Sequence, residues 1–194
     1  MPVKNTMLSI AKHVTSSVEH LDESEISTMI DVMQKSERLF LMGAGRSGLV
    51  ARAFAMRLVQ LGLTAYVVGE SVTPAMTCKD LLIAVSGSGE TNSVVKAGEI
   101  ARGMGSKVLT VTSYPKSSLG KISDYTVNVR GRTKIDSEKD PLKSQIEGVH
   151  SSLTPLGTLF EDTVLIFFDG IIAGLMIRME AKEEDLKRRH SILE

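Results

Sequence analysis

Leu39-Phe40-Leu41-Met42 runs into Gly43-Ala44-Gly45-Arg46-Ser47-Gly48, and Leu81-Leu82-Ile83-Ala84-Val85 runs into Ser86-Gly87-Ser88-Gly89-Glu90-Thr91. In both, an apolar, strand-like run stops at a Gly/Ser turn and continues as a helix. Glycine lets the backbone approach an anion, the free N–H groups of a helix start point at it, and Ser and Thr hydroxyls add neutral donors. Each stretch is a candidate anion cradle, and the second decides how the first is read.

Alone, Gly43-x-Gly45-x-x-Gly48 after a strand, with Glu70 closing the apolar run Tyr66-Val67-Val68, reproduces a dinucleotide-binding fingerprint, acidic residue about 20 positions on included. A dinucleotide needs one pyrophosphate site. The second turn sets three hydroxyls and several amides at another strand end, which suits a compact phosphorylated ligand better. The bland alternative is a pair of tight strand-to-helix turns without a ligand.

Composition narrows the class. The 194 residues, 42% hydrophobic, can bury a sizeable core, and no run approaches the roughly 18 apolar residues of a membrane span. Met1-Pro2-Val3-Lys4-Asn5-Thr6 opens no apolar signal segment, and the single Cys78 provides neither a disulfide nor a zinc cluster, so a cytoplasmic protein is expected. Lys plus Arg and Asp plus Glu are 23 each, a net charge of zero, and there is no Trp. Without a basic field or interleaved aromatics, nucleic-acid binding is disfavoured and any anion must be held locally. Met29, Met33, Met42, Met56, Met76, Met104 and Met176 read as core and helix-contact residues rather than cofactor ligands.

Periodicity predicts helices over 5–20 and 22–36, the second opened by Asp22-Glu23-Ser24-Glu25 as a capping signal. Strands follow at 38–42, 64–68, 80–85, 107–112 and 124–129. Helices are expected at 47–61, ended by Gly62, at 91–103, and as a short segment after Tyr114-Pro115-Lys116-Ser117-Ser118. Strands alternating with helices imply an α/β fold: a doubly wound, mostly parallel five-stranded sheet flanked by helices, a flavodoxin-like three-layer sandwich. Its ligands sit outside the carboxyl ends of the strands, where both Gly/Ser turns lie.

One domain over 1–194 is expected: N-terminal helices at 1–36, the α/β core at 37–130, a polar loop at 131–154, and C-terminal helices and tail at 155–194. The polar loop reads either as a cover over the site or as solvated decoration. The predicted helix 155–179 is apolar on most sides, through Leu159, Val164, Leu165, Ile166, Phe167, Phe168, Ile171 and Ile172, and so needs more than one packing partner. Oligomerisation is the natural inference.

The two turns, together with Val68-Gly69-Glu70, Ala55-Met56-Arg57-Leu58, the helix start Pro155-Leu156-Gly157-Thr158-Leu159-Phe160-Glu161 and the tail Arg189-His190-Ser191-Ile192-Leu193-Glu194, resemble the sugar isomerase (SIS) domain family, and within it the 6-phospho-3-hexuloisomerases. The resemblance spans about residue 20 to the end. It implies a phosphosugar isomerase interconverting D-arabino-hex-3-ulose 6-phosphate and D-fructose 6-phosphate, a step of the ribulose monophosphate route of formaldehyde assimilation. It also implies no metal or organic cofactor, and a homotetramer in which the tail histidine completes a neighbouring subunit's site.

Moving a carbonyl from C3 to C2 requires a base for the C2 proton, stabilisation of the enediolate oxygen and return of a proton to C3. With the resemblance in hand, Glu161 is the first carboxylate and His190 the imidazole. Their bland counterparts are a helix-dipole partner, a role Asp162 fills equally, and an exposed tail histidine. His150 is a weaker alternative, and His13 and His20 read as surface residues. Ser47, Ser86, Ser88 and Thr91, with amides around Gly87 and Gly89, are the expected phosphate ligands. Arg46 adds charge to phosphate or enediolate, or is an exposed first-turn residue. Glu90 binds sugar hydroxyls or caps its helix. Glu70 and Arg57 form an interior ion pair or a subunit contact. Three competing readings remain: another phosphosugar isomerase of the same family, a sensor that binds a sugar phosphate without turnover, and a dinucleotide-binding protein in which Glu70 holds the ribose.

Overall fold

The computed structural model describes residues 2–131, 155 and 157–190. Two N-terminal helices, α1 (Pro2–Val18) and α2 (Glu23–Lys35), precede β1 (Leu39–Gly43), α3 (Arg46–Leu61), β2 (Ala65–Val67), β3 (Leu81–Val85), α4 (Asn92–Gly103), β4 (Lys107–Thr112), α5 (Ser118–Ile122) and β5 (Tyr125–Asn128). Two further helices follow, α6 (Thr158–Arg178) and α7 (Glu183–Arg189). The five strands form one parallel sheet in the order β2-β1-β3-β4-β5.

Alternation along each strand sorts the core into two layers. Leu39, Leu41, Leu81, Ile83, Val85, Leu109, Val111 and Val127 point to the side holding α2, α3 and α6, where Met29, Phe54, Leu58, Phe168 and Leu175 complete the larger cluster. Phe40, Leu82, Ala84 and Val108 point to the other side, toward α4 and α5, where they meet Val94, Ala101 and Leu119. Phe54 of α3 stacks on Phe168 of α6 with centroids 4.0 Å apart, which clamps the long helix against the first crossover helix. Ile83 is fully buried in the middle strand. Ile83→Val, which deletes one methylene there, is expected to cost about 0.5–1.5 kcal/mol in urea unfolding with an unchanged slope.

Local signals place the ends. Asp22 accepts the amides of Ser24 and Glu25 as the α2 cap, as its sequence pattern predicts. Gly62 ends α3 in the left-handed region at φ 101°. Gly43 and Gly48 bring the end of β1 against the first turn of α3. A Cβ on Gly43 would stand 2.7 Å from the Ser47 carbonyl, and one on Gly48 would stand 2.8 Å from the Gly43 oxygen. Gly45 between them has open space around it, yet its φ of 57° with ψ −132° is a conformation other residues resist.

Three expectations need correction. The long helix starts at Thr158 rather than 155, with Gly157 at φ 87° as its entry. Met56 and Met104 are exposed instead of packed, because they fall on the outer faces of α3 and α4. Glu70 pairs with Arg52 at 2.7 Å on the surface, while Arg57 donates to Gln60 one turn along α3, so the interior Glu70–Arg57 pair does not form. The connection from β2 to β3 carries no helix. It is pinned instead by buried Asp80, whose carboxylate accepts from Arg38 at 2.7 and 2.9 Å and from the Thr77 amide at 2.6 Å.

Candidate active site

β1 and β3 lie side by side in register, Met42 opposite Ala84 and Gly43 opposite Val85, so the two Gly/Ser turns emerge together at one end of the sheet. From β1 the chain steps outward to β2 and then crosses back to β3. The strand order therefore reverses between these two strands, which is where doubly wound sheets open their ligand crevice. α3 leaves toward one face and α4 toward the other, leaving the crevice between their amino termini.

The wall on the α3 side is a carboxylate cluster. Glu161, in the first turn of α6, is largely buried and accepts a hydrogen bond from the Ser47 hydroxyl at 3.1 Å. Its second oxygen is buried without a hydrogen-bond partner among the described residues, with Arg46 Nε 3.9 Å away. Arg46 spends its terminal nitrogen on Asp162, at 3.0 Å. Burial pushes the Glu161 carboxyl above its usual range, and the Ser47 bond and the Arg46 charge only partly oppose this. The result is a basic carboxylate with one oxygen unused. Beside it, Arg46, Leu49, Val50, Ala53, Glu161, Asp162 and Leu165 line a depression of about 180 Å³, rimmed by exposed Leu49 and Leu165.

A carboxyl held above its usual range in this way has a signed effect on stability. Between the ordinary glutamate range and the raised value, the native chain keeps a proton that the unfolded chain has released, so stability falls as pH rises through that window. Glu161→Gln, neutral throughout, is expected to melt higher than the parent protein at neutral pH. The gain should disappear below about pH 4, where both forms of residue 161 are uncharged. Thermal melts of the two proteins across this range check it.

The wall on the α4 side is the second turn. Ser86 Oγ lies 3.2 Å from Thr91 Oγ1 and accepts the Gly89 amide at 3.1 Å, while Ser88 Oγ accepts the Glu90 amide at 3.2 Å. Thr91 stands at the α4 N-cap without capping it through its side chain, so the amino end of that helix faces the hydroxyls. Glu90 does not cap its own helix. Its carboxylate reaches the next loop and accepts the Ser118 amide at 2.8 Å, and hydrogen bonds from Ser118 hold its pKa below the usual carboxylate range.

The structure thus gathers Arg46, Ser47 and Glu161 on one side of the crevice, and Ser86, Gly87, Ser88 and Thr91 on the other. Ser47, expected beside the phosphate, is engaged with Glu161. His190 is elsewhere. Arg189, its neighbour, donates to the Gln60 and Leu61 carbonyls at 3.5 and 3.2 Å, at the carboxyl end of α3. About 20 Å of helix separates that point from Ser47, so one copy of the chain does not bring His190 to Glu161. His150, most of the polar loop and the tail beyond His190 lie outside the described residues.

One pairing and one participant escape the sequence reading. Asp162, read as a helix-dipole partner, instead holds Arg46 at 3.0 Å. The third strand end, Thr112-Ser113, contacts the cradle and is legible only as one more Ser/Thr turn after a strand. Among the described residues no three His, Cys, Asp or Glu side chains group as a metal site, and no helix is long and apolar enough to cross a membrane.

Comparison with known proteins adds independent information. Residues 32–146 match the family model described as SIS domain. A Bacillus subtilis protein named 3-hexulose-6-phosphate isomerase is 35% identical over 194 residues, covering all of both chains. A crystal structure of a protein described as hypothetical superposes with a TM-score of 0.88 at 41% identity, over 100% of this chain and 98% of that one. A Methanococcus jannaschii structure, from which a molecular function of 3-hexulose-6-phosphate isomerase was inferred, superposes with a TM-score of 0.76 at 32% identity, over 99% and 97% of the two chains.

Proposed function

The chain belongs to the SIS domain family and is an isomerase of phosphorylated sugars; on that premise we propose that it interconverts D-arabino-hex-3-ulose 6-phosphate and D-fructose 6-phosphate through a 2,3-enediolate. The observation that carries the reading is the Glu161 carboxylate, buried, basic, and with one oxygen unengaged, across the crevice from a hydroxyl-lined turn at a helix amino terminus.

The phosphate enters the cradle of Ser86, Gly87, Ser88 and Thr91, where hydroxyls, amides and the α4 dipole meet it. Neutral donors suit a phosphate that must leave after each turnover. Glu161 removes the C2 proton of the 3-ulose, and the C2–H electron pair becomes the C2–C3 double bond as the C3 carbonyl oxygen takes negative charge. Transfer of the O2 proton to O3 moves that charge to O2. As the C2 carbonyl forms, C3 takes the proton back from Glu161, and no atom is gained or lost. Arg46, at the mouth, supplies positive charge for the enediolate. Ser47 holds the carboxylate in place.

The acid that shuttles the oxygen proton is assigned to His190 of a second copy, since within one copy it stands at the other end of α3. Exposed Leu49 and Leu165 beside the site, with Met56, Val59 and Ile166 on the same two helices, support a second copy of the chain against this face. A homotetramer with shared sites in the cytoplasm, serving formaldehyde assimilation, completes the reading, and the chain is assigned as a single domain over 1–194.

The dinucleotide reading loses ground because Glu161 and Asp162 already place carboxylates at the α3 amino terminus, where a pyrophosphate would sit, and because Arg52 engages Glu70. The deciding assay supplies hexulose 6-phosphate without added metal and couples product to glucose-6-phosphate isomerase and its dehydrogenase. Steady formation of reduced nicotinamide is expected. Tight phosphosugar binding without turnover would favour the sensor, and binding of NAD(H) by the uncoupled protein would favour the dinucleotide reading.

A further inference from the structure

The Ser86–Thr91 turn does not stand by itself. It is stitched to the loop that follows the neighbouring strand β4. The Gly87 carbonyl accepts both the Ser113 amide at 3.1 Å and the Thr112 hydroxyl at 3.2 Å, and that hydroxyl also accepts the Tyr114 amide at 3.2 Å. The Gly89 carbonyl accepts the Leu119 amide at 3.0 Å, and the Glu90 carboxylate accepts the Ser118 amide at 2.8 Å. Gly89 itself lies against Ser117, so closely that a Cβ there would stand 1.9 Å from the Ser117 hydroxyl. Thr112 is fully buried.

These bonds share one direction of effect. An anion cradle works through amides that point inward, and each peptide plane that turns an amide inward turns its carbonyl outward. The β4–α5 loop receives the carbonyls of Gly87 and Gly89. The Gly87 carbonyl shares its peptide plane with the Ser88 N–H, so fixing the one orients the other before a phosphate arrives, and the Gly89 plane carries the Glu90 N–H that Ser88 Oγ accepts, which holds that hydroxyl in place.

We propose that Glu90 and Thr112 are positioning residues for phosphate binding: Glu90, by holding the Ser118 amide, and Thr112, by holding the Gly87 carbonyl, lock the β4–α5 loop behind the Ser86–Thr91 turn and preorganise its amides. The inference rests on the reading that the phosphate sits in this turn. It assigns Glu90 to the cradle's support in place of the sugar hydroxyls.

The test measures KM, kcat and the affinity for inorganic phosphate, by competitive inhibition and by calorimetry, in the full chain. Glu90→Ala and Thr112→Val are each expected to raise KM and weaken phosphate binding about tenfold, with the loss falling on KM rather than kcat. Glu90→Gln, which still offers an oxygen to the Ser118 amide, and Thr112→Ser, which keeps the hydroxyl, are expected to recover most of the affinity lost in their partners. Ser86→Ala and Ser88→Ala serve as the reference for the site itself, and melting curves establish that each variant is folded. Weakened phosphate binding in the serine variants alongside unchanged binding in Glu90→Ala and Thr112→Val would overturn the positioning roles and leave the cradle standing. Unchanged binding in all four would remove the cradle as the phosphate site, and the inference with it. A Glu90→Gln defect as large as that of Glu90→Ala would mean that the carboxylate charge matters rather than the acceptor, and would also overturn it. Exposed Glu90 tolerates substitution, so the answer does not depend on buried Thr112 surviving its change.

Discussion

Glu161→Gln is expected to lower kcat about 10³-fold while phosphate still binds and the chain still folds. The amide matches the carboxylate in size, and its oxygen still accepts the Ser47 hydroxyl that lies 3.1 Å from Glu161. It has no basic lone pair for a carbon-bound proton. Position and packing are kept, and the proton acceptor alone is removed. Wash-in of solvent deuterium at the reacting carbons of fructose 6-phosphate should stop in parallel with turnover, because both require the same enediolate. Activity above about a tenth of the parent's would assign the base elsewhere, with Asp162, 34% exposed and bound to Arg46, as the next carboxylate to test.

The second large effect is a recovery. His190→Ala and Glu161→Gln are each expected to be nearly inactive alone. Mixed one to one under conditions that let subunits exchange, they should regain about a quarter of the parent's specific activity. Each site draws Glu161 from one copy and His190 from another, and random assembly gives a site both intact residues in one case of four. The basis is the distance along α3: the Ser47 end holds Glu161, and the Gln60–Leu61 end holds Arg189, next to His190. If the mixture stays as inactive as its parts, His190 does not act across copies and the shared-site reading fails.

Much of the fold is legible because each strand announces its own end. β4 occupies 107–112 as the sequence predicts, since a short run of Val, Leu and Thr sits between Gly105 and a Ser/Pro turn. The crevice is legible for the same reason: the Gly/Ser turns mark the carboxyl ends of β1 and β3, and a parallel sheet puts those ends together. Contacts that join distant segments are a different matter. Ser47 and Glu161 are 114 positions apart, and only the packing of α6 on α3 through Phe54 and Phe168 brings them together. The residues alone left Glu161 balanced between a catalytic carboxylate and a helix-dipole partner, and the resemblance tipped it. Glu70 reached for the wrong arginine because helix phase decides which side chain faces β2. Arg52 does, whereas Arg57 turns toward Gln60. Met56 fails similarly: it sits two residues from buried Phe54 and two from buried Leu58, a spacing that sends it to the opposite side of α3.

The three glycines at the start of α3 are not interchangeable guarantees of a ligand. Gly43 and Gly48 are required by the closeness of two stretches of backbone, Gly45 by a dihedral angle, and none of these needs a bound molecule. In a randomised library scored only for correctly folded chains, all three columns would stay nearly invariant, while Ser86, Ser88 and Thr91 would drift. Only selection for turnover would fix the hydroxyls as well. A pattern search that weights those glycines therefore collects proteins that abut a strand on a helix in this way, whatever they bind, and the hydroxyl-bearing turn one strand over is the better guide to chemistry.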